Sequence, residues 1–365
     1  MDIKVALDAM GGDFRAIPNL QGAYLAASRG VGEDIRLKVF LCGRKDEILQ
    51  AIPRAAQDEA TKPEYRLDVD GFEAFLADGS FEIVDCPEVV GMDESPSVAV
   101  RGKKESSMAK CFHLVRDGMA DAAISAGNSG AMMAYGVSIL KRLPSIKRPA
   151  IMCHFPSREG VTALLDAGAN VDCTVQHLEQ FAQMGKIYMQ TVFSKEKVRV
   201  ALLNIGEEEG KGNEIVKETN AVLKQSLGEH YVGFVEGRDI LTGKVDVIVC
   251  DGFVGNVALK TAEGVAKVIQ SILKEEFSRS PIWGLGAWLA KGGFMAMKTK
   301  LDYREYGAAP LIGLQGLGLV AHGSSDAKAI NSALRIAAHY TRQGLMTKLN
   351  AAFGNIESNL ARQES

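Results

Sequence analysis

Short apolar runs recur along the chain. Each is followed by a loop of glycine and small polar residues, then by apolar positions three or four apart. IKVALDAMGGD (3–13) is the first, and a helix is predicted from about Asn19 to Arg29. RLKVFLCGRKDEI (36–48) repeats the design, and FEIVDCPEV (81–89) resumes it. ESSMAKCFHLVRDGMA (105–120) reads as a helix through Met108, Phe112, Val115 and Met119. AAISAGNSGAMMAYGVSILKR (122–142), AIMCHFP (150–156) and VTALLDAGAN (161–170) follow, then a long helix from about Thr174 to Phe193. RVALLNIGEEEGKGNEIVKETNAVLKQ (199–225) and LGLVAHGSSDAKAINSALRIAAHY (317–340) extend the series. Residues 53–80 lack a clear period and are expected to form a surface excursion. This alternation predicts an α/β protein, a mostly parallel sheet with helices on both faces.

The most informative stretch is DVIVCDGFVGNVALKTAEGVAKVI, residues 246–269. A buried strand at Val247–Val249 gives way to a glycine loop, then to a helical pattern at Val257, Thr261, Val265, Val268 and Ile269. Asn256 is expected at the helix cap, among N–H groups suited to an anion. Similar strand-end loops supply Asp8, Gly11 and Gly12; Ser125, Gly127, Asn128 and Ser129; Asn204 and Glu207; Asp251 and Gly252; and His322, Ser324 and Ser325. In a parallel sheet such loops gather along one edge, where ligands bind. Together they predict a site for a phosphate-like anion; singly, each is a turn that any α/β fold requires.

With 365 residues, 47% of them hydrophobic, the chain can bury a large core, expected to span 1–345 with a helical tail at 346–365. A net charge of −3 argues against nucleic acid as a partner. The six cysteines show no CxxC spacing, so buried free thiols in a reducing cytoplasm are expected, not disulfides or zinc. MDIKVALDAM reads as the start of a strand, not as a signal peptide, and no apolar run is long enough to span a bilayer.

Several chemistries are disfavoured. GEEEGKGN (206–213) is one residue too short between its glycines for a phosphate loop and carries three glutamates. GLGAWLAKGG (284–293) lacks the third glycine of a dinucleotide fingerprint and follows no strand, so no nicotinamide cofactor is expected. Lys211 in the acidic loop reads most simply as a solvated lysine paired to Glu207, Glu208 or Glu209. Cys250 reads as a small buried residue, and His154, His177 and His322 lack metal-ligand spacing, so no metal is expected. PIWGLGAWLAKGGFMAMK (281–298) gathers Trp283, Leu285, Trp288 and Leu289 beside Lys291, Lys298 and Lys300. Two readings stand open: an interfacial membrane segment, or a subunit interface or lid.

ALDAMGGD, AISAGNSGAMMA, LLDAGANVDC, LLNIGEEEGKGNE, EGRDIL, VDVIVCDGFVGNVALKTAEGVAK, LDYREYGAAPLIG and AHGSSDAKA, from residue 3 to about 340, resemble the bacterial phosphate acyltransferases of phospholipid synthesis, the PlsX family. The resemblance implies transfer of a fatty acyl group from acyl carrier protein to inorganic phosphate, without a cofactor. The acyl phosphate product would feed a glycerol-3-phosphate acyltransferase. It also implies a three-layer α/β/α fold like isocitrate and isopropylmalate dehydrogenases, a homodimer, and a cytoplasmic protein held peripherally at the cell membrane through 281–298. The family's catalytic lysine and asparagine fall on Lys211 and Asn256. The chain departs from the family pattern at Phe14–Pro18, in the length of 53–80, and at Lys186.

Phosphate is already an anionic nucleophile and a thioester is already activated, so positioning and charge stabilisation suffice for this reaction. Loops 125–129 and 322–326 are expected to hold phosphate, Lys211 to offset developing charge, and Asn256 to donate to the thioester oxyanion. Arg101, Lys103 and Lys104 form the first candidate dock for the acidic carrier. The rivals are a phosphotransacetylase using acyl-CoA, a hydroxy-acid dehydrogenase of the same fold, and a membrane-associated scaffold.

Overall fold

The protein is described by a computed structural model covering residues 1–158, 160–295 and 307–354. In chain order its elements begin with β1 (Asp2–Asp8), α1 (Ala16–Arg29), β2 (Arg36–Gly43), α2 (Lys45–Gln57), α3 (Val69–Ala77) and β3 (Phe81–Asp85). Next come α4 (Pro96–Gly102), α5 (Ser107–Arg116), β4 (Ala122–Ser125), α6 (Ser129–Tyr135), β5 (Ala150–Ser157) and β6 (Gly160–Leu165). Then follow α7 (Val175–Val192), β7 (Val200–Leu203), α8 (Glu214–Ser226), β8 (Tyr231–Val235), β9 (Val247–Val249), α9 (Gly252–Ser278) and α10 (Pro281–Leu289). β10 (Ala308–Ile312), β11 (Leu317–Ala321) and helices Ala327–Arg342 and Leu345–Phe353 complete the described chain.

The described strands form an 11-stranded sheet in the order β3-β2-β1-β4-β11-β10-β5-β6-β9-β7-β8. The central strands are buried on both faces. Val5, Leu7, Val39 and Leu41 enter one core, while Ala6, Phe40 and Cys42 enter the core on the opposite face. Helices cover both faces, as the βα rhythm predicts, and all six cysteines are free and buried.

The sheet is mostly parallel, as the sequence predicts, but its polarity reverses in the middle. β3, β2, β1, β4 and β11 are mutually parallel, as are β6, β9, β7 and β8. Between these blocks β10 runs antiparallel to β11 and β5, and β5 runs antiparallel to β6. The two blocks therefore have opposite polarity, and their strand-end loops do not share one edge. A reversal of this kind leaves no mark in the apolar pattern of the individual strands.

Two local expectations are also corrected. Residues 53–80, expected to form a surface excursion without a clear period, carry helices: α2 continues through Pro53 to Gln57, and α3 buries Phe72 in the main core. α2 buries only a narrow face, Ile48, Ala51, Ile52 and Ala55, which hid its period. α1 begins at Ala16, earlier than Asn19, because the side chain of Asn19 is buried and donates to Ala9, Gly11 and Arg15 carbonyls. The C-terminal helix Leu345–Phe353 buries Leu345, Leu349 and Phe353 in the same core.

Candidate active site

The candidate residues fall into two clusters, one at the carboxyl end of each parallel block. The first joins the loops after β1, β4 and β11. Ser125 donates to Asp8 Oδ2 at 2.7 Å and accepts from the Gly127 amide at 3.0 Å. The Met10 amide donates to Asp8 Oδ1 at 3.1 Å. Burial pushes the Asp8 carboxyl above its ordinary pKa, against the pull of the Ser125 hydroxyl and the Met10 and Gly11 amides. Gly11 permits this closeness: a Cβ there would lie 2.9 Å from Asp8 Oδ2, Ser125 Oγ and the Gly127 nitrogen. Asp13 N–H donates to the Gly323 carbonyl at 2.8 Å, which ties Gly12 and the first loop to the third.

Most polar groups of this cluster are engaged internally. Asn128 caps α6 through the Ala131 amide and donates to the Met92 and Glu94 carbonyls at 2.8 and 2.9 Å. His322 Nδ1 accepts from the Ser324 amide at 3.2 Å and lies 2.8 Å from Ser324 Oγ, which puts the neutral ring's proton on Nε2. Burial lowers the His322 pKa, and the Lys260 charge adds to the effect. Ser129 is exposed at the start of α6. Ser325 Oγ differs from its neighbours, being buried without a hydrogen-bond partner among the described residues, at the start of helix Ala327–Arg342.

The second cluster lies beyond β6, β9 and β7. Its centre is Asp166, a fully buried residue absent from the predicted site. Asp166 accepts from the amides of Ile151 (3.0 Å), Gly168 (3.3 Å), Ala169 (3.1 Å) and Asn170 (2.6 Å), and from Asn170 Nδ2 (2.9 Å). Burial raises its pKa, and those donors oppose the rise. The loop so shaped receives the start of α9. Gly252 N–H donates to the Asn170 carbonyl at 2.7 Å, and a Cβ on Gly255 would lie 1.9 Å from the Asp166 carbonyl oxygen. No residue but glycine fits at 255 without displacing the helix.

This docking corrects the expected cap. Asp251 caps α9, its Oδ1 accepting from the Val254 amide at 2.8 Å. Asn256 lies one turn further on, exposed, with its Cβ over Gly168. Asn204 donates to the Gly206 and Lys211 carbonyls at 3.0 and 3.3 Å and so shapes the acidic loop. Glu207 pairs with Lys244 at 2.6 Å, and Glu209 pairs with Lys224. Lys211 is exposed and makes no ion pair among the described residues. The motif LLDAGANVDC carried the one sequence signal for Asp166 and Asn170.

α9 connects the clusters. It starts beside Asp166, and the charges on its Lys260, Glu263 and Lys267 act on His322 at the first cluster. Only Gly252 and Gly255 of this helix are buried. Val257, Val265, Val268, Ile269 and Ile272 are exposed, as are Trp283, Leu285, Trp288 and Leu289 of α10. Phe277 and Phe294 close the helical hairpin, their centroids 5.2 Å apart. Met297, Lys298 and Lys300 lie outside the described residues. Among the described residues no group of side chains has metal-binding geometry, and no helix is long and apolar enough to cross a membrane.

Known proteins resemble the chain in sequence and in fold. Residues 3–348 match the model of the family described as "Fatty acid synthesis protein". The phosphate acyltransferase of Trichlorobacter lovleyi is 44% identical over 347 residues, 95% of this chain and 93% of that protein. The phosphate acyltransferase of Thermodesulfovibrio yellowstonii is 40% identical over 363 residues, 100% and 98% of the two chains. In fold, the chain is similar to a phosphotransacetylase from Streptococcus pyogenes (TM-score 0.57, 16% identity, 93% and 94% coverage). It is also similar to 4-hydroxythreonine-4-phosphate dehydrogenase from Klebsiella pneumoniae (TM-score 0.51, 11% identity, 92% and 97% coverage). These likenesses agree with the expected dehydrogenase-like α/β fold.

Proposed function

Because the chain belongs to the Fatty acid synthesis protein family and is an acyltransferase, we propose that it transfers a fatty acyl group from acyl carrier protein to inorganic phosphate. Its relatives bear the name phosphate acyltransferase over nearly their full length. The observation that carries the reading is the state of Lys211. The neighbouring Glu207 and Glu209 are paired with Lys244 and Lys224, and Lys211 makes no ion pair among the described residues, Glu208 beside it included, which supports an ammonium left for an anion. A solvated lysine paired to its own loop, the simplest sequence reading, would not leave that charge available.

The reaction balances without a cofactor. A phosphate oxygen attacks the thioester carbonyl, the C–S bond breaks, and the proton of hydrogen phosphate ends on the departing thiol. Lys211 offsets the charge that gathers at the reacting centre, and Asn256 donates its amide N–H to the carbonyl oxygen as that oxygen becomes anionic. The buried Ser325 hydroxyl supports phosphate contact from the first cluster, with α9 as the shared wall between the two. Exposed Ile205, Val171, Phe253 and Val257 flank Lys211 and Asn256 and support an apolar path for the acyl chain.

The product is an acyl phosphate, a mixed anhydride suited to a glycerol-3-phosphate acyltransferase in phospholipid synthesis. The exposed tryptophans and leucines of α10 support peripheral attachment at the inner face of the cell membrane. The apolar stripe of α9 supports a homodimer. The test is incubation of the purified protein with palmitoyl carrier protein and labelled phosphate. Formation of labelled palmitoyl phosphate is expected. Turnover of acyl-CoA alone would transfer the reading to a phosphotransacetylase, and no turnover of either would leave the scaffold. Replacing Trp283 and Trp288 with glutamate should abolish flotation with anionic vesicles while soluble turnover persists.

A further inference from the structure

The segment between α6 and β5 contains KRLPSIKR, residues 141–148, with four cations in eight positions. Lys141, Arg142, Lys147 and Arg148 are exposed, while Leu143, Ile146 and Pro149 are buried beneath them. The strap is pinned on every side. Leu143 N–H donates to the Gly313 carbonyl at 2.9 Å, and the Gln315 amide and side chain donate to the Lys141 and Arg142 carbonyls. Gln180 of α7 accepts from the Lys147 amide at 2.9 Å and donates to the Ser145 carbonyl at 2.8 Å. Ser145 N–H reaches the Phe353 carbonyl.

None of the four cations makes an ion pair among the described residues. Lys141 and Arg142 donate to backbone carbonyls of the strap's own neighbourhood, and Lys147 and Arg148 project free of any carboxylate. A cleft of about 300 Å³ lies beside Lys141 and Arg142, lined also by Val137, Leu143, Pro144 and Ile146. Position settles the meaning of this surface. Pro149, directly after Arg148, accepts from Asn170 Nδ2 at 2.8 Å, and Asn170 belongs to the loop on which Gly252 and Asn256 rest. The strap therefore borders the second cluster on its Asp166–Asn256 side.

We propose that the strap 141–148 is the surface on which the acidic acyl carrier protein docks. The inference rests on the reading that the acyl donor is carrier-bound. A rigid row of unneutralised cations complements an acidic protein and loses no side-chain anchorage on binding. A lipid surface fits less well, since the apolar side chains Leu143 and Ile146 point inward, whereas α10 presents its own outward. The first candidate dock is weaker. Lys103 is bound to Glu94 at 2.6 Å and to the Val89 carbonyl, and the segment follows β3 in the other strand block.

The experiment is charge reversal at Lys147 and Arg148 (Lys147→Glu with Arg148→Glu), with Arg101→Glu plus Lys104→Glu as the comparison pair. At low salt the first pair should raise KM for acyl carrier protein about tenfold or more, an effect that shrinks as salt rises. Its kcat, phosphate KM, melting temperature and turnover of a small acyl-pantetheine thioester should be unchanged. An unchanged carrier KM, or a rise confined to the Arg101/Lys104 pair, overturns the proposal. So does loss of vesicle binding with carrier KM intact, which would make the strap a lipid contact. If the unaltered enzyme turns over acyl-pantetheine but not acyl carrier protein, the functional reading itself falls.

Discussion

The two strand-end clusters are built from similar sequence and differ in how far they are closed. The loops after β1, β4 and β11 are largely closed on themselves: Asp8, Ser125, Gly127 and Asn128 spend their hydrogen bonds on one another or on neighbouring backbone, with Ser325 the exception. The loops after β6, β7 and β9 bury one carboxylate, Asp166, as a scaffold and leave Lys211 and Asn256 exposed. On the proposed mechanism, the difference separates holding from reacting. A group whose hydrogen bonds are satisfied internally fixes geometry, and one left open by its neighbours is available to a substrate.

The strongest way to break this contrast is at Asn256. Asp251 caps the helix, so Asn256→Ala should cost little stability, yet lose about 2.7–4 kcal/mol of transition-state stabilisation, a hundredfold to a thousandfold in rate. Lys211→Ala should likewise lower kcat far more than it weakens phosphate binding. Asn256→Asp should be equally stable and nearly inactive, because an ionised carboxylate cannot donate. An active Asn256→Asp enzyme, assayed for acyl phosphate, would remove Asn256 from the reaction.

The seam between the blocks should respond to pH. His154 on β5 packs half-buried against Tyr188, 2.6 Å from its hydroxyl, and desolvation there lowers its pKa to about 4. The unfolded chain, with an ordinary histidine pKa near 6.5, binds more protons between these values. Stability should therefore be full above about 6.5 and fall as pH drops toward 4, by up to roughly 3 kcal/mol. Melting curves across that window should show the loss, and His154→Gln should flatten it.

In the first cluster, Ser125→Ala removes the hydroxyl that bonds Asp8 Oδ2 and the Gly127 amide. It should lower stability by about 1–3 kcal/mol in denaturant titration, with a larger effect on melting than on kcat. Equal losses in kcat for Ser125→Ala and Asn256→Ala would erase the distinction between the clusters. The smallest effect is expected at Lys244→Ala. Stability should change by no more than about 1 kcal/mol, while release of Glu207 to compete for Lys211 lowers kcat several-fold.

The apolar periodicity determined most strands, though not β8 or β10, together with most helices and their βα order, because each buried strand and amphipathic helix writes its own period into the chain. Glycine and small polar residues likewise marked every loop that the clusters use. Asp8 and Ser125 could be named from sequence, but not that they bond each other across 117 positions. The reversal of polarity at β10 and β5, which divides the candidates into two clusters, belongs to strand pairing and has no local signature. The same holds for Asp166, whose role arises from amides that converge only after folding, and for the neutralisation of Glu207 and Glu209 by lysines distant in sequence. α9 shows the limit most plainly. Its helical period was legible, yet the exposure of that apolar face depends on where the helix leaves the body, at Gly255 against Asp166, and only the tertiary structure decides that.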